Sequence, residues 1–164
     1  MTEAATIVRD IGKMILQNDS LILLKRLSLR PAGNMRSLDY NRFLSWAEYG
    51  QVRRGCLPRS CEDKWLIFQP RGELHFCRSG NGLLVYAIIF AHLGPGFEAV
   101  SARVNADPAL LDPLPEEYEC RVIDYLIDRL LLGREVLFPL PDGLDRQSGQ
   151  VLERIWMGDC GRRG

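Results

Sequence analysis

The sequence lacks any long apolar run, and lysine is scarce. No stretch approaches the roughly 18 to 20 apolar residues that a membrane-spanning helix needs, so we expect no membrane contact. The start, M-T-E-A-A-T, carries an acidic residue and lacks the basic and apolar regions of a secretory signal, so we expect a cytoplasmic protein. Only 3 of the 21 basic residues are Lys. Arginine suits phosphate or carboxylate recognition, but GC-rich coding also enriches it, and we favour that explanation.

The composition is that of one folded domain. The 164 residues are 46% hydrophobic and 26% charged, close to ordinary globular usage and enough for a real core. We therefore expect a single domain over residues 1–157 and a frayed tail over 158–164. The five cysteines are not expected to form structural disulfides, because the chain shows no export signal.

The charges balance overall but not between the two halves of the chain. Residues 1–80 hold 13 basic and 8 acidic groups, and residues 81–164 hold 8 and 13, so the balances of +5 and −5 cancel. Such a chain could attract an acidic partner or pair head to tail with a copy of itself. We favour the simpler interpretation of two solvated faces.

Apolar periodicity predicts two helices before the strands. The first covers residues 2–18, with Thr2 as its cap and one apolar stripe. The stripe consists of Ile7, Val8, Ile11, Met14 and Ile15. Ser37 is expected to cap a second helix over residues 38–50. Residues 21–29 fit either a strand or a helical turn.

A long helix near the C-terminus has the clearest signals. Pro115 is typical of a helix start, and Gly133 marks the expected stop. A short helix is expected around residues 150–157, with Trp156 docked against the domain.

Residues 63–104 predict four consecutive strands joined by tight, glycine-containing turns. The strands are expected at 64–69, 73–78, 83–92 and 97–104. Short turns require antiparallel neighbours. The predicted fold is therefore α+β, an antiparallel four-stranded meander flanked by N-terminal and C-terminal helices. The third strand is apolar on both faces, so we expect helices on one side and a candidate partner surface on the other.

The first hairpin resembles the core of an uncharacterised group of small bacterial proteins. W-L-I-F, E-L-H-F-C-R-S-G-N-G and V-Y, over residues 65–86, resemble the group's Trp strand, its H-R-S-W-T-G strand end and its apolar strand with Tyr. The shared residues are Trp65, Glu73, Arg78, Ser79, Gly82 and Tyr86. Gly80-Asn81 replaces Trp-Thr, and Cys77 stands where the group often has His. The resemblance implies an α+β fold and a bacterial origin, and it implies no activity.

A zinc site is one candidate for chemistry in this region. Thiolate and imidazole are suitable Zn²⁺ donors, and a hairpin could bring two pairs of them together. The donors would be Cys56, Cys61, His75 and Cys77. Their spacing is irregular beside the usual C-x2-C knuckle. We favour the interpretation that these cysteines are small buried or loop residues, and we expect no cofactor.

A nucleophilic site is a second candidate. Cys77 with His75, or Ser79 with His92, could pair a nucleophile with a base, with Glu73 as an acid partner. No nucleophile elbow or other catalytic signature surrounds them. A histidine on a sheet is more often a hydrogen-bonded structural residue, so we favour that role.

An anion-binding surface is a third candidate. Basic residues cluster in the sequence around the first hairpin, with Trp65 and Phe68 among them, and such a mixture suits phosphate contact and base stacking. The basic residues are Arg53, Arg54, Arg59, Lys64, Arg71 and Arg78. Lys64, Trp65, Arg71 and Arg78 are the binding residues that this hypothesis selects. With zero net charge, a solvated basic face is the interpretation we favour over binding of an anionic ligand or single-stranded nucleic acid.

A protein interface is the fourth candidate and the one we favour. Residues 83–92 and 118–132 are more apolar than a two-layer domain needs, and the surplus could bury against an identical subunit or another protein. The sequence thus favours a non-catalytic interaction module that forms a homodimer. The alternative is a small enzyme or anionic-ligand-binding protein with a site around His75, Cys77 and Arg78.

Overall fold

Over the part of the chain that the structure describes, the fold is an antiparallel sheet with three helices, which confirms the predicted α+β class. The computed structural model describes residues 33–60 and 62–158. The elements are β1 (Met35–Ser37), β2 (Phe43–Leu44), α1 (Trp46–Val52), β3 (Trp65–Phe68), β4 (Glu73–Arg78), β5 (Leu84–Leu93), β6 (Gly96–Asn105), α2 (Glu116–Leu126) and α3 (Arg146–Met157). The predicted helix over 2–18 and the segment 21–29 lie outside the described residues.

The sheet has six strands, so the predicted count of four is wrong. The strand order is β1-β6-β5-β4-β3, and β2 also pairs with β6. The two additional strands, β1 and β2, both lie along the outer edge of β6. They extend the sheet beyond the four strands that the sequence indicated.

The predicted second helix over 38–50 is also wrong in its first half. The N–H of Leu38 donates to the carbonyl of Ala102 at 2.8 Å, so the chain still follows β6 where a helix was expected. Helix α1 begins only after Ser45, whose hydroxyl accepts from the N–H of Glu48 while the Glu48 carboxylate accepts from the N–H of Ser45. This reciprocal capping box, S-x-x-E, is a local signal that the choice of Ser37 overlooked. Before Ser45, the chain pairs with β6 instead of forming a helix.

All three helices cover the same side of the sheet. Trp65 and Ile67 of β3 belong to one buried cluster with Val52 of α1, Val122 of α2 and Met157 of α3. We call this side the first face. Side chains alternate along a strand, so Leu66 and Phe68 belong to the opposite side, the second face.

The C-terminal elements follow the prediction closely. A π-helical turn at Ile127–Leu131 extends α2, and Gly133, with φ of +67°, stops it as expected. Asp145 caps α3 by accepting from the N–H of Ser148 at 2.7 Å, so this helix begins four residues before the predicted start. Within the described part of the chain, no helix combines the length and apolarity needed to cross a membrane.

The outer edge of β3 is closed by residues that precede it. Cys56 and Ile67 exchange two backbone hydrogen bonds of 2.8 Å. Gly55, beside this bridge, has φ of +68°, and a Cβ atom there would lie 2.1 Å from the Ile67 carbonyl oxygen. Asp63 and Gly158 form a second bridge near the start of β3, although Gly158 was predicted to fray. A second chain therefore finds little free backbone on this edge.

Gly55→Ala is expected to be much more costly than the same change at Gly94. Gly94 also has positive φ, +60°, but nothing lies within 4 Å of its added Cβ. The left-handed conformation alone should lower the free energy of unfolding by about 1–2 kcal/mol. The additional clash at Gly55 should raise the loss to roughly 3 kcal/mol or more. Urea denaturation of both variants measures the difference, and equal losses would contradict this account of the β3 edge.

Candidate functional site

Strand β4 divides the residues of the predicted site between the two faces of the sheet. Leu74 and Phe76 belong to the core cluster on the first face. His75 and Cys77 alternate with them and therefore lie on the second face. Arg78 returns to the first face, opposite Trp65 in the pairing of β3 with β4. The structure thus does not bring Arg78 together with His75 and Cys77.

Arg78 and Trp65 hold the C-terminal end of α3. The Arg78 guanidinium lies 4.8 Å from the centre of the Trp65 ring and 5.8 Å from that of the Trp156 ring. The centres of these two rings lie 6.0 Å apart, and their planes are inclined by 21°. The Trp156 carbonyl accepts from Trp65 Nε1 at 2.9 Å and from Arg78 Nη1 at 3.0 Å, and Arg78 Nη2 donates to the Ile155 carbonyl at 3.3 Å. Terminal carbonyls of a helix have no partner within it. These two predicted binding residues therefore already serve as a helix cap, and the predicted docking of Trp156 is confirmed.

The other predicted binding residues are spread along the first hairpin. Arg71 lies in the exposed turn between β3 and β4 and has φ of +52°, unusual for a residue other than glycine. Lys64 precedes β3 at the other end of the hairpin, and its carbonyl accepts from the N–H of Ser79 at 3.0 Å. Arg71 thus lies at the opposite end of the folded hairpin from Lys64 and Arg78.

A half-buried polar group on the second face contains one residue that sequence reasoning missed. Arg103 Nη2 donates to both carboxylate oxygens of Glu73 at 2.8 Å, and His75 Nε2 lies 2.8 Å from Glu73 Oε1. Ala87 of β5 pairs with His75 on one side and with Arg103 on the other. Its small side chain leaves room for the Glu73–Arg103 pair to span β5. The only sequence signal for Arg103 is its place in the weak alternation of the last strand.

The environment of Glu73 favours its charged form. Partial burial raises the pKa of the Glu73 carboxyl, but the hydrogen bonds from His75 and Arg103 outweigh it, so the pKa lies below its usual range. The contact of His75 with Glu73 agrees with the structural role that we favoured for this histidine, and that role stays a prediction.

Cys77 is a poor candidate nucleophile. It is buried, and this burial raises the pKa of its thiol to about 12, whereas the thiolate is the reactive form. The Ser79 hydroxyl donates to the Asp63 carbonyl beside the start of β5, whereas His92 lies near the end of β5. Ser79 and His92 therefore do not meet.

Within residues 33–60 and 62–158, no three His, Cys, Asp or Glu side chains come together as a metal site. Cys56 is half-buried at the outer edge of β3, and Cys77 is buried on the second face. Cys61, a member of the predicted zinc set, lies outside the described residues. The zinc hypothesis therefore stays a prediction.

A network of ion pairs ties the β1–β2 connection to α2. Arg42 donates to Asp124 at 3.0 Å and to Asp128 at 2.7 Å, and the Tyr40 hydroxyl donates to Asp124 at 2.7 Å. Burial, together with nearby Asp124, raises the pKa of Tyr40 above its ordinary value. The partners are more than 80 positions apart in sequence, so only the tertiary structure could reveal the pairing.

A surface of exposed aromatic and aliphatic side chains surrounds the end of the β5–β6 hairpin. We call it the hairpin-end surface and define it by Phe43, Trp46, His92 and Leu93. Trp46 and His92 lie beside Phe97 on the first-face side of the hairpin, whereas Phe43 and Leu93, by their strand pairing, lie on the second-face side. The exposed fractions are 48% for Phe43, 60% for Trp46 and 46% for Leu93. The Trp46 ring lies 4.7 Å from His92 and 4.9 Å from Phe97, edge to face with the latter. Large apolar side chains grouped on a surface often mark an interaction site.

Gly96 allows this surface to form. A Cβ atom on Gly96 would lie 2.4 Å from the Leu44 carbonyl oxygen and 2.6 Å from the Phe43 ring. Only glycine lets β2 and the Phe43 ring approach the hairpin this closely. The predicted helix over residues 38–50 includes both Phe43 and Trp46, so the sequence did not indicate this surface.

Comparison of the chain with protein-family models, curated proteins and solved structures finds no match. The resemblance of residues 65–86 to the bacterial group therefore stays a prediction.

Replacing Arg78 with either Met or Lys should weaken the attachment of α3. Both variants lose the planar group that stacks on Trp65 and caps two carbonyls, and Lys keeps only the charge. We expect each to lower the free energy of unfolding by about 1–3 kcal/mol. Arg53→Met, at an exposed position, should change it by less than about 0.5 kcal/mol. Urea unfolding followed by tryptophan fluorescence measures the losses, and an Arg78→Lys variant as stable as wild type would contradict the stacking account.

Glu73→Gln should make stability less dependent on pH. Because the folded-state pKa of Glu73 is lowered, its contribution is fully present above the unfolded value of about 4.3 and is lost as the pH falls through the folded pKa. We expect wild type to exceed the variant by about 1 kcal/mol above pH 5, with the gap closing below about pH 4. Glu98→Gln, at an exposed position of β6, is the matched control for the loss of one carboxylate. Denaturant titrations across this pH range provide the measurement, and a gap independent of pH would refute the charge-based explanation.

Proposed function

We propose that the protein is a non-catalytic interaction module that forms a homodimer through the hairpin-end surface. The observation that carries the proposal is the exposure of Trp46 at 60%, with Phe43 and Leu93 nearly half exposed around the same hairpin end. Tryptophan is enriched among the residues that contribute most to binding energy at protein interfaces. Its exposure on a single chain is best explained by burial in an assembly.

An identical copy suits this surface better than a highly charged partner. The charged residue of α1 nearest Trp46 in sequence, Glu48, is already paired with Arg134. His92 is the titratable member of the surface, and the other three members are apolar. The net charge of the whole chain is zero, so two copies meet without overall repulsion. A two-fold contact would stack the same apolar side chains against each other.

Pairing through the sheet edge at β3 has less support. Cys56 already satisfies the outward backbone groups of Ile67, and Asp63 is bridged to Gly158. The outer edge of β6 is occupied by β1 and β2. A side-chain contact at the hairpin end is therefore the dimer geometry that we propose.

The alternative of an enzyme or anion-binding site around His75, Cys77 and Arg78 has weaker support. Arg78 lies on the first face and is engaged with α3, while His75 and Cys77 lie on the second face. The raised pKa of Cys77 disfavours thiolate chemistry at neutral pH. The cytoplasmic location and bacterial origin remain predictions from the sequence.

The proposed dimer predicts that Trp46→Ser and Leu93→Ser reduce self-association, whereas Ile155→Ser does not. Ile155 is 60% exposed, as is Trp46, but belongs to α3 and lies outside the hairpin-end surface. We expect each surface variant to weaken dimerisation about tenfold or more. Sedimentation equilibrium gives the dissociation constants, and thermal unfolding verifies that the variants are folded.

Two results would contradict this proposal. One is a wild-type protein that stays monomeric at concentrations of about 100 μM, since a specific homodimer should assemble there. The other is equal weakening by Ile155→Ser, which would indicate nonspecific association of apolar side chains.

A further inference from the structure

The second face of the sheet is buried where the described helices do not reach it. Leu66 is 0% exposed, and Phe68 and Cys77 are each 2% exposed. None of these three belongs to the cluster that contains the helix residues, and each alternates along its strand with residues that do. An antiparallel sheet can leave one face to water, but such a face is polar and exposed. Around Leu66, Phe68 and Cys77, this face is apolar and covered.

The two long connections of the described chain pack on the other side of the sheet. The connection between β6 and α2 packs on the first-face cluster through Leu111 and Leu114, and the connection between α2 and α3 does so through Phe138 and Leu140. The segment before β3 borders the sheet through the bridge of Cys56 to Ile67. Cys77 lies one strand further in, roughly 5 Å from that edge strand.

A second copy of the chain does not supply the cover of the second face. The exposures of Leu66, Phe68 and Cys77 are those of a single chain, so the cover comes from the same molecule. The chain outside the described ranges consists of residues 1–32, Cys61 and residues 159–164. The last stretch reads D-C-G-R-R-G and has almost no apolar side chains, whereas residues 1–32 are long enough and carry many.

We propose that the N-terminal segment, residues 1–32, docks on the second face through its apolar stripe. The stripe is Ile7, Val8, Ile11, Met14 and Ile15, which the sequence predicts on one side of a helix. Its chemistry matches the apolar area of Leu66, Phe68 and Cys77. The half-buried polar group of Glu73, His75 and Arg103 borders this area, with side-chain exposures of 21%, 14% and 35%.

The docked segment leaves the far end of the second face open. Ile89 is 36% exposed and Leu93 46% exposed, and both follow the buried part of β5 toward the hairpin end. Docking of residues 1–32 therefore covers the part of the second face near β3 and leaves the hairpin-end surface accessible. The two proposals concern different areas and can fail separately.

Alkylation of Cys77 in the full-length protein tests the docking. Ile11→Asp places a charge in the stripe, and Thr6→Asp places the same charge on the predicted opposite side of the segment. With N-ethylmaleimide and peptide mapping by mass spectrometry, we expect Ile11→Asp to label Cys77 about tenfold faster than wild type, because the cover opens locally. Thr6→Asp should leave the labelling rate of Cys77 unchanged.

Cys120 of α2, on the other side of the sheet, is the internal reference, and its labelling rate should not change in either variant. Equal Cys77 rates in the two variants would overturn the proposal.

Faster labelling of Cys120 would show that Ile11→Asp unfolds the whole protein. In that case, a cross-linking experiment tests whether residues 1–32 dock on the second face. Ile7→Cys, Ile11→Cys and Ile15→Cys each place a thiol on the stripe one turn apart, and mild oxidation traps neighbours within disulfide range. We expect at least one of them to link to Cys77, and Thr6→Cys not to do so. Failure of all three, or equal linking by Thr6→Cys, would overturn the proposal.

Discussion

The structure depends on burying a central strand that is apolar on both sides. Strand β5 has ten residues and pairs with β4 and β6 along most of its length. Its side chains Tyr86 and Ile88 point to the helices, while Ala87 faces the other way. Neither face of such a strand can be left to water without exposing apolar area. The helices cover the first face, and the second requires a cover of its own.

The first face is assembled by contacts that join distant parts of the chain. The α3 helix is attached by stacking of Trp156 on Trp65 and by the Arg78 guanidinium at its terminal carbonyls. The α2 helix is attached by Arg42, which lies between Asp124 and Asp128. Ion pairs and caps of this kind contribute less to the free energy of unfolding than apolar burial does, but they select one orientation for each helix. Residues that resemble a ligand site in the sequence thus serve the fold.

The division of the two faces also bears on function. Catalysis around His75, Cys77 and Arg78 would need these groups on one side of the sheet, and β4 separates them. Three exposed apolar side chains, Phe43, Trp46 and Leu93, lie around the hairpin end, where Gly96 lets Phe43 lie against the turn. Others, such as Leu137, lie elsewhere on the described surface. This distribution of side chains is the support for the interaction role that we propose.

The sequence by itself determined the features that depend on neighbouring residues. Local backbone preferences account for the turn glycines, the four consecutive strands β3 to β6, and the Pro115 start and Gly133 stop of α2. The capping box of α1 also depends only on neighbouring residues, because the S-x-x-E pattern that begins at Ser45 is visible in the sequence. By contrast, β1 and β2 are too short to show periodicity, and they exist because β6 offers them an edge.

Only the tertiary structure decided which side chains meet. The pairing of Glu73 with Arg103 required the register of three strands and a small residue, Ala87, between them. Arg78 caps α3 only because the chain folds so that Ile155, 77 positions later, lies beside it. Trp46 contacts His92 only because α1 packs beside the end of the β5–β6 hairpin. Local preferences act through the backbone of adjacent residues. Contacts between distant residues depend on how complete elements pack, and one sequence without that packing does not specify them.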